Sequence, residues 1–293
     1  TRPLRPLTPG TSYGFDVIDF ARDVLHHPLD PWQEWVVIHL GELLEDGRPR
    51  FKKALIMVAR QNGKTELLVV LTLYWIFVDR VGTVLGTSTK LDYAAESWRK
   101  ACKLARRVPA LNAEIPKRGG IRKANGEQVL WRADAEEHAM EEGARYKIAA
   151  SNEEGGRSLT IDRLVLDELR QHKDYSAWDA SEPATSAVPD AQIVAITNAG
   201  SAASVVLNDM RGDAVHYIET GEGDPRLGLF EYSAPPGSSP VDPEALAQAN
   251  PNANVRILME DLMNEGAAAM RVGGKKLSGF KTEKMCMAAS VMD

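Results

Sequence analysis

Short apolar runs alternate with helix-length segments along most of the chain. Runs at residues 54–59, 83–88, 163–166 and 192–197 predict buried strands, and residues 128–132 and 146–150 predict further strands. Residues 64–78 and 91–108 have the length of helices, and the second carries one apolar stripe made by Ala94, Trp98, Ala101, Ala105 and Val108. Alternating strands and helices predict an α/β fold with a mostly parallel sheet that is covered on both faces.

The two ends of the chain have a different character. Residues 1–10 contain three prolines and predict an extended arm, while residues 16–44 predict two helical pieces that break at residues 28–31. Residues 235–240 read PPGSSP, a linker signal, and residues 243–250 and 255–266 predict short helices. We therefore expect a core with an N-terminal arm at residues 1–234, and a linker with a small helical lid region at residues 235–293.

Composition narrows the class of protein. The 293 residues are 44% hydrophobic and 26% charged, which is typical of one large globular domain, alone or with a smaller appendage. The two cysteines, Cys102 and Cys286, lack partners at metal-ligand spacing, so we expect neither a zinc site nor a disulfide framework, in keeping with a reducing cytoplasm. The longest apolar run, residues 67–78, is too short to span a bilayer, so we expect no membrane segment.

The net charge of −6 means that any contact with nucleic acid must come from a local basic patch. Residues 99–123 contain one acid and nine basic side chains: Arg99, Lys100, Lys103, Arg106, Arg107, Lys117, Arg118, Arg122 and Lys123. A solvated helix face followed by a loop explains this pattern equally well.

The first candidate for chemistry is VARQNGKT at residues 58–65, a polar turn between a predicted strand and a predicted helix. The usual phosphate-binding loop begins with glycine, and here Val58 takes that place. Amides at a helix N-terminus converge on phosphate oxygens, Lys64 supplies charge to the β- and γ-phosphates, and the Thr65 hydroxyl ligates magnesium. The alternative is a polar turn that only caps a helix.

The second candidate is a pair of acids, Asp167 and Glu168, that ends the apolar run at residues 164–166. Asp167 would hold magnesium, and Glu168 would polarise the attacking water. Alone, the pair would more often cap the next helix, but about a hundred residues after a phosphate-binding loop it predicts ATP hydrolysis with Mg²⁺.

Three weaker candidates remain. Asn198 ends the run at residues 192–197 and could touch the γ-phosphate or its water, although alone it predicts only a turn. Gln33 could read an adenine edge while Trp32 covers its face, or the two could be a core tryptophan and a surface glutamine. Arg157, in GGRS at residues 155–158, could reach the γ-phosphate of a neighbouring subunit, or be a surface arginine that pairs with a nearby glutamate.

Together these motifs resemble the ATPase domain of the large terminase subunit, the DNA-packaging motor of tailed bacteriophages. ARQNGKTE resembles its variant phosphate-binding loop, LVLDE its acidic strand, TNAGS its coupling motif and PWQ its adenine motif. Asn250-Pro251 and the following helix resemble its lid. The resemblance covers about residues 15–285.

The resemblance implies a P-loop NTPase fold of the ASCE type (additional strand, catalytic glutamate). It also implies ATP and Mg²⁺ as cofactors, and nucleotide contacts from Arg60, Gln61, Asn62 and Gly63, with Arg60 near the γ-phosphate. Arg157 would be the arginine that acts on a neighbour, with Arg145 and Arg163 as competitors for that role. Large terminases also carry a nuclease domain, for which this chain has no room, so we expect an isolated ATPase domain.

The implied function is translocation of double-stranded DNA into a viral procapsid. The motor would be a ring of identical subunits, expected to be pentameric, that works with the portal and the small terminase subunit in the cytoplasm of the infected bacterial host. Two alternatives stay open: a helicase-like P-loop ATPase that acts on nucleic acid, and a nucleotide-gated DNA-binding module without turnover. Glu168 argues against the second, because a binder without turnover has no need of a carboxylate there.

Overall fold

The computed structural model describes residues 1–88, 91–124, 127–132, 144–150 and 160–288. These residues form eight strands: β1 (Lys53–Met57), β2 (Thr83–Ser88), β3 (Ile121–Ala124), β4 (Glu127–Arg132), β5 (Ala144–Ala150), β6 (Arg163–Asp167), β7 (Gln192–Thr197) and β8 (Leu227–Glu231). They make one sheet in the order β3-β4-β5-β2-β6-β7-β1-β8. The six strands from β5 onward in that order are parallel, and β3 and β4 add an antiparallel edge.

The same described residues form eleven α-helices: α1 (Gly14–Asp19), α2 (Pro31–Leu40), α3 (Lys64–Phe77), α4 (Leu91–Arg107), α5 (Pro109–Ala113), α6 (Ser176–Ser181), α7 (Pro183–Ser186), α8 (Val205–Thr220), α9 (Pro243–Ala249), α10 (Met259–Val272) and α11 (Gly274–Lys284). A π-helical turn follows α1, and a 3-10 turn, Leu169–Gln171, follows β6. Within the described ranges, no helix is long and apolar enough to cross a membrane.

Both faces of the sheet are buried, as the sequence predicted. Side chains of β1 alternate between two hydrophobic clusters: Ala54 and Ile56 pack with helices α1 to α4, whereas Leu55 and Met57 pack with α8, α9 and α10. Every residue of α3 from 67 to 77 is buried, because this helix lies under neighbouring helices as well as on the sheet. The predicted α/β fold is confirmed, whereas β3, β8, the helices α5 to α8, and α11 were not predicted.

Both ends of the described chain return to the sheet. The Thr1 ammonium group donates to the Leu229 carbonyl at 2.7 Å, which fixes the N-terminal arm along β8. At the other end, α11 stops against the turn that follows β1, where the Arg60 N–H donates to the Glu283 carbonyl at 2.9 Å. The expected division near residue 235 stays a prediction, but α9 and α11 contact the turn that follows β1, and α10 packs on these two helices.

Candidate functional site

The turn after β1 is shaped by two residues with left-handed backbone. Gln61 has φ 67° and Gly63 has φ 93°, and a Cβ at position 63 would lie 2.9 Å from Gln33 Nε2. Glycine is therefore required at position 63, while Gln61 costs about 1–2 kcal/mol of backbone strain. Helix α3 begins directly after Gly63 without a side-chain cap, so the amides of its first turn are available to an anion.

Two residues of α2 support this turn from inside the protein. The Trp32 indole N–H donates to the Asn62 carbonyl at 3.0 Å, and the Gln33 side-chain amide donates to the Gly63 carbonyl at 2.8 Å. Both side chains are buried, so Trp32 fits the alternative of a core tryptophan and Gln33 is not a surface glutamine. Their contact with adenine stays a prediction.

Asn62 is held by the segment after α9. Its side-chain amide donates to Asn250 Oδ1 at 3.0 Å, and its Oδ1 accepts from the Asn252 backbone at 3.1 Å. Asn252 in turn donates to Asp30 Oδ2 at 2.8 Å, beside the start of α2. The fully buried Asn62 side chain therefore shapes the loop and ties it to the predicted lid region.

The acidic pair lies beside the loop. Asp167 ends β6, and Glu168 follows it with a left-handed backbone, φ 57°. Burial raises the pKa of Asp167 to about 7, repulsion from Glu168 adds to this, and attraction to Lys64 opposes it. Burial also lowers the pKa of Lys64, against the pull of the two carboxylates. Among the described residues the Lys64 ammonium makes only long contacts, with the Val58 and Ala59 carbonyls at 3.3 and 3.5 Å, which leaves it available to a phosphate group.

One cavity of about 520 Å³ joins the two motifs. Seven of the predicted site residues line it: Arg60, Gln61, Gly63, Lys64, Thr65, Asp167 and Glu168. A second cavity, of about 530 Å³, lies near α6 and α8 and is lined by acidic and aromatic side chains such as Asp213 and Trp178. Volume does not separate the two cavities, but in the second Lys53 is paired with Glu182, whereas the first joins Lys64 and the start of α3 to the acidic pair.

The donor set of the first cavity fits magnesium. A hydroxyl from Thr65 and a carboxylate from Asp167 are hard oxygen ligands, and Mg²⁺ in such sites takes its remaining ligands from water and phosphate. In the described parts of the chain no group of three or more His, Cys, Asp or Glu side chains is placed to hold a metal ion by itself. This arrangement suits a metal that arrives with its nucleotide.

Sequence reasoning missed Arg170 and Glu283. Arg170 Nε pairs with Glu168 Oε2 at 2.9 Å, and its Nη2 pairs with Glu283 Oε1 at 3.1 Å. The other oxygen of Glu283 pairs with Arg60 Nη1 at 2.6 Å, so the expected γ-phosphate arginine is held by α11. Arg170 could have been proposed from the sequence, because it lies two residues after Glu168, whereas Glu283 is far from both motifs in sequence.

The structure places Asn198 and two of the three arginine candidates, Arg145 and Arg163. Asn198 is fully buried and donates to the Thr282 carbonyl of α11 at 3.4 Å, and its contact with a phosphate stays a prediction. Arg157 lies outside the described residues, as does the rest of segment 155–158. Arg163 is buried and bonded to Asp79 at 2.7 Å, which removes it from the candidates for reaching a neighbour. Arg145 lies over the Trp131 ring at the amino end of β5.

The predicted basic cluster lies on and after α4. Seven of its side chains are exposed: Arg99, Lys103, Arg106, Arg107, Lys117, Arg118 and Arg122. Lys100 is instead paired with Glu66 at 2.8 Å and Glu96 at 3.5 Å, on the wall of the nucleotide-sized cavity. The side chain of Lys123 is not among those described. Both interpretations of the cluster, a DNA surface and a solvated face, are compatible with this exposure.

Comparison with known proteins gives matches in structure alone. No protein-family model and no curated protein matches the sequence. The large terminase of bacteriophage HK97 matches with a TM-score of 0.77 at 18% identity, over 94% of this chain and 55% of that chain. The ATPase domain of the large terminase of Thermus phage P74-26 matches with a TM-score of 0.59 at 15% identity, over 92% of this chain and 96% of that chain.

The chain thus spans about half the length of the HK97 terminase. At these identities the similarity shows the fold, and it confirms the P-loop NTPase fold and the structural resemblance to large-terminase ATPase domains that the sequence predicted.

Proposed function

We propose that this chain is an ATP-hydrolysing motor domain of the terminase type, which moves double-stranded DNA into a viral procapsid. One observation carries the ATPase part: a single cavity at the carboxyl edge of the sheet holds the uncapped start of α3, Lys64 and both carboxylates. The likeness in fold to two large terminases supports the motor part.

In this proposal each residue has a defined task. The first-turn amides of α3 and the Lys64 ammonium bind the β- and γ-phosphates, and Thr65 and Asp167 would hold Mg²⁺, which would neutralise phosphate charge. Glu168 orients the attacking water and accepts its proton, a role that this partly buried carboxylate can perform because, within the described residues, only its Oε2 is paired. Arg60 lies at the mouth of the cavity, where it can turn from Glu283 to the γ-phosphate.

The proposed partners are double-stranded DNA, identical subunits in a ring of five, the portal and the small terminase subunit, in the cytoplasm of the infected bacterium. The exposed basic residues of α4 supply phosphate contacts to DNA. Arg157 acts on the nucleotide of the next subunit in the ring. Both roles require assembly, so we propose that turnover rises when subunits meet on DNA.

Phosphate release, measured with and without linear double-stranded DNA, tests the proposal. We expect Mg²⁺-dependent turnover that DNA stimulates and that Lys64→Ala abolishes. Lys276→Ala, at an exposed lysine of α11, is the matched control and should behave as wild type. Strand unwinding would favour a helicase-like ATPase, nucleotide binding without release would favour a gated binding module, and failure to bind ATP would refute the proposal.

A further inference from the structure

The last turn of α11 contacts two of the predicted motifs of the nucleotide site, the phosphate-binding loop and Asn198, and it also contacts Arg170. The Thr282 carbonyl accepts from Asn198, Glu283 pairs with Arg60 and Arg170, and Lys284 Nζ donates to Gln61 Oε1 at 2.6 Å. The Lys284 carbonyl also accepts from Asn250 at 2.7 Å. Three consecutive residues therefore touch the phosphate-binding loop, Arg170 two residues after Glu168, and Asn198 at the end of β7.

Within this contact the charges alternate in one line: Arg60, Glu283, Arg170 and Glu168. Glu283 uses one carboxylate oxygen for each arginine, and Arg170 uses Nε for Glu168 and Nη2 for Glu283. The side chains of Glu168, Arg170 and Glu283 are 17%, 21% and 27% exposed, and the first two line the cavity. A lysine would have to reach both carboxylates from a single nitrogen, so it would not fix their directions as the arginine fork does.

The backbone of Arg170 is fixed as firmly as its side chain. Its N–H donates to Thr197 Oγ1 at 3.2 Å, and its carbonyl accepts from the Ser204 hydroxyl at 2.6 Å. The guanidinium therefore projects from an anchored point, and its direction is set by the two carboxylates. One oxygen of Glu168 is occupied by this contact, which leaves the other to face the cavity.

A general base acts well only when a third group holds it in position, and a displacement of about 1 Å can cost about a hundredfold in rate. Partly exposed ion pairs of this kind contribute little to folding stability, so stability alone gives little reason for the arrangement. The need to orient Glu168 explains why the Arg170 guanidinium is held by Glu168 on one side and by Glu283 on the other.

We propose that Arg170 and Glu283 are positioning residues for Glu168: Arg170 fixes the carboxylate that activates water, and Glu283, on α11, fixes Arg170. The inference rests on the proposed ATPase function. It makes the position of α11 a determinant of the rate of hydrolysis, separately from nucleotide affinity.

The test measures kcat for ATP and, separately, the Kd for a non-hydrolysable ATP analogue. Arg170→Ala should lower kcat about 10- to 100-fold with Kd within about twofold of wild type. Arg170→Lys should stay impaired, because it keeps the charge and loses the fork, and guanidinium ion at millimolar concentration should restore part of the turnover of Arg170→Ala. Glu283→Ala should lower kcat about tenfold, and adding it to Arg170→Ala should cause no further loss.

Arg211→Ala is the matched control, because Arg211 pairs with Glu231 at 2.9 and 3.1 Å outside this cavity, and it should leave kcat unchanged. Wild-type or higher kcat in Arg170→Ala, full activity in Arg170→Lys, or additive losses in the double variant would each overturn the inference while the proposed function stands. If Arg170→Ala fails to bind the analogue, the kcat and Kd values of Arg170→Lys and Glu283→Ala decide the test in its place. Absence of turnover in the wild-type chain would overturn the proposed function and this inference with it.

Discussion

Replacing Asp167 by asparagine should stabilise the metal-free protein, and the gain should depend on pH. The Asp167 carboxyl lies at the end of β6 with Glu168 beside it, and its pKa rises from an ordinary 3.8 to about 7. Asparagine keeps the shape of the protonated acid and carries no charge at any pH. The variant should therefore match the wild type in acid and exceed it at neutral pH and above.

The magnitude follows from the pKa rise. At about 1.4 kcal/mol per pKa unit, a rise from 3.8 to about 7 corresponds to an upper limit of about 4 kcal/mol. Between these two values the unfolded chain has ionised Asp167 while the folded chain keeps the proton, so the folded state binds more protons and its stability falls as pH rises. Asp167 keeps partial contact with water in the cavity, so we expect a gain of about 1–3 kcal/mol at pH 8.

Urea unfolding at 25 °C with a metal chelator, repeated across this pH range, measures the difference. The free energy of unfolding of Asp167→Asn should equal that of the wild type near pH 4, diverge as pH rises and level off above about pH 7. Asp213→Asn, at an exposed aspartate of α8, should produce no such divergence. A gain that is absent at pH 8, or equal at every pH, would refute the reasoning.

Four further outcomes are expected. Lys64→Ala should bind ATP weakly and hydrolyse none of it, and wild-type turnover would remove the phosphate-loop assignment. Glu168→Gln should bind ATP normally and hydrolyse it about a hundredfold more slowly. Wild-type hydrolysis by this variant, with hydrolysis lost in Asp167→Asn, would mean that the two roles are wrongly assigned. Arg157→Ala should bind ATP but lose the turnover that assembly stimulates. Mixing it with Glu168→Gln subunits should restore part of this turnover. A defect that persists in dilute monomer would mean that Arg157 acts within its own subunit. Charge reversal at the exposed α4 residues Arg99, Lys103 and Arg106 should weaken DNA binding. The slope of log affinity against log salt concentration should fall by about one per lost contact, and unchanged affinity would favour a solvated face.

Strands buried on both faces were the easiest part of the fold to predict. β2 and β7 have the bounds that their apolar runs predicted, because parallel strands inside a covered sheet carry continuous hydrophobic sequence. β3 contains Arg122 and Lys123 and lies at the sheet edge, so its sequence lacks that signal. β8 contains Gly228, which packs where a Cβ would come within 2.9 Å of the Phe51 ring.

Helix α11 shows the limit of local patterns most clearly. Its sequence, GKKLSGFKTEK, contains two glycines and four lysines, which favour no buried face. Its stability comes from contacts with distant parts of the chain, including the buried Phe280 and the pairing of Glu283 with Arg60. The phosphate loop and acidic pair could be predicted because each is a contiguous motif. The Arg170–Glu283 pair could not, because its partners meet only in the folded chain.

The asparagine contacts behind the phosphate-binding loop have a consequence for synthesis of the chain. Asn62 leaves the ribosome early, yet its partners Asn250 and Asn252 are made about 190 residues later. Such a high sequence separation delays the loop's final shape until nearly all of the described chain has emerged. A nascent chain would therefore have all eight described strands synthesised while its loop is still unlocked, so that the ability to bind a nucleotide is acquired only after residues 250–252 have emerged.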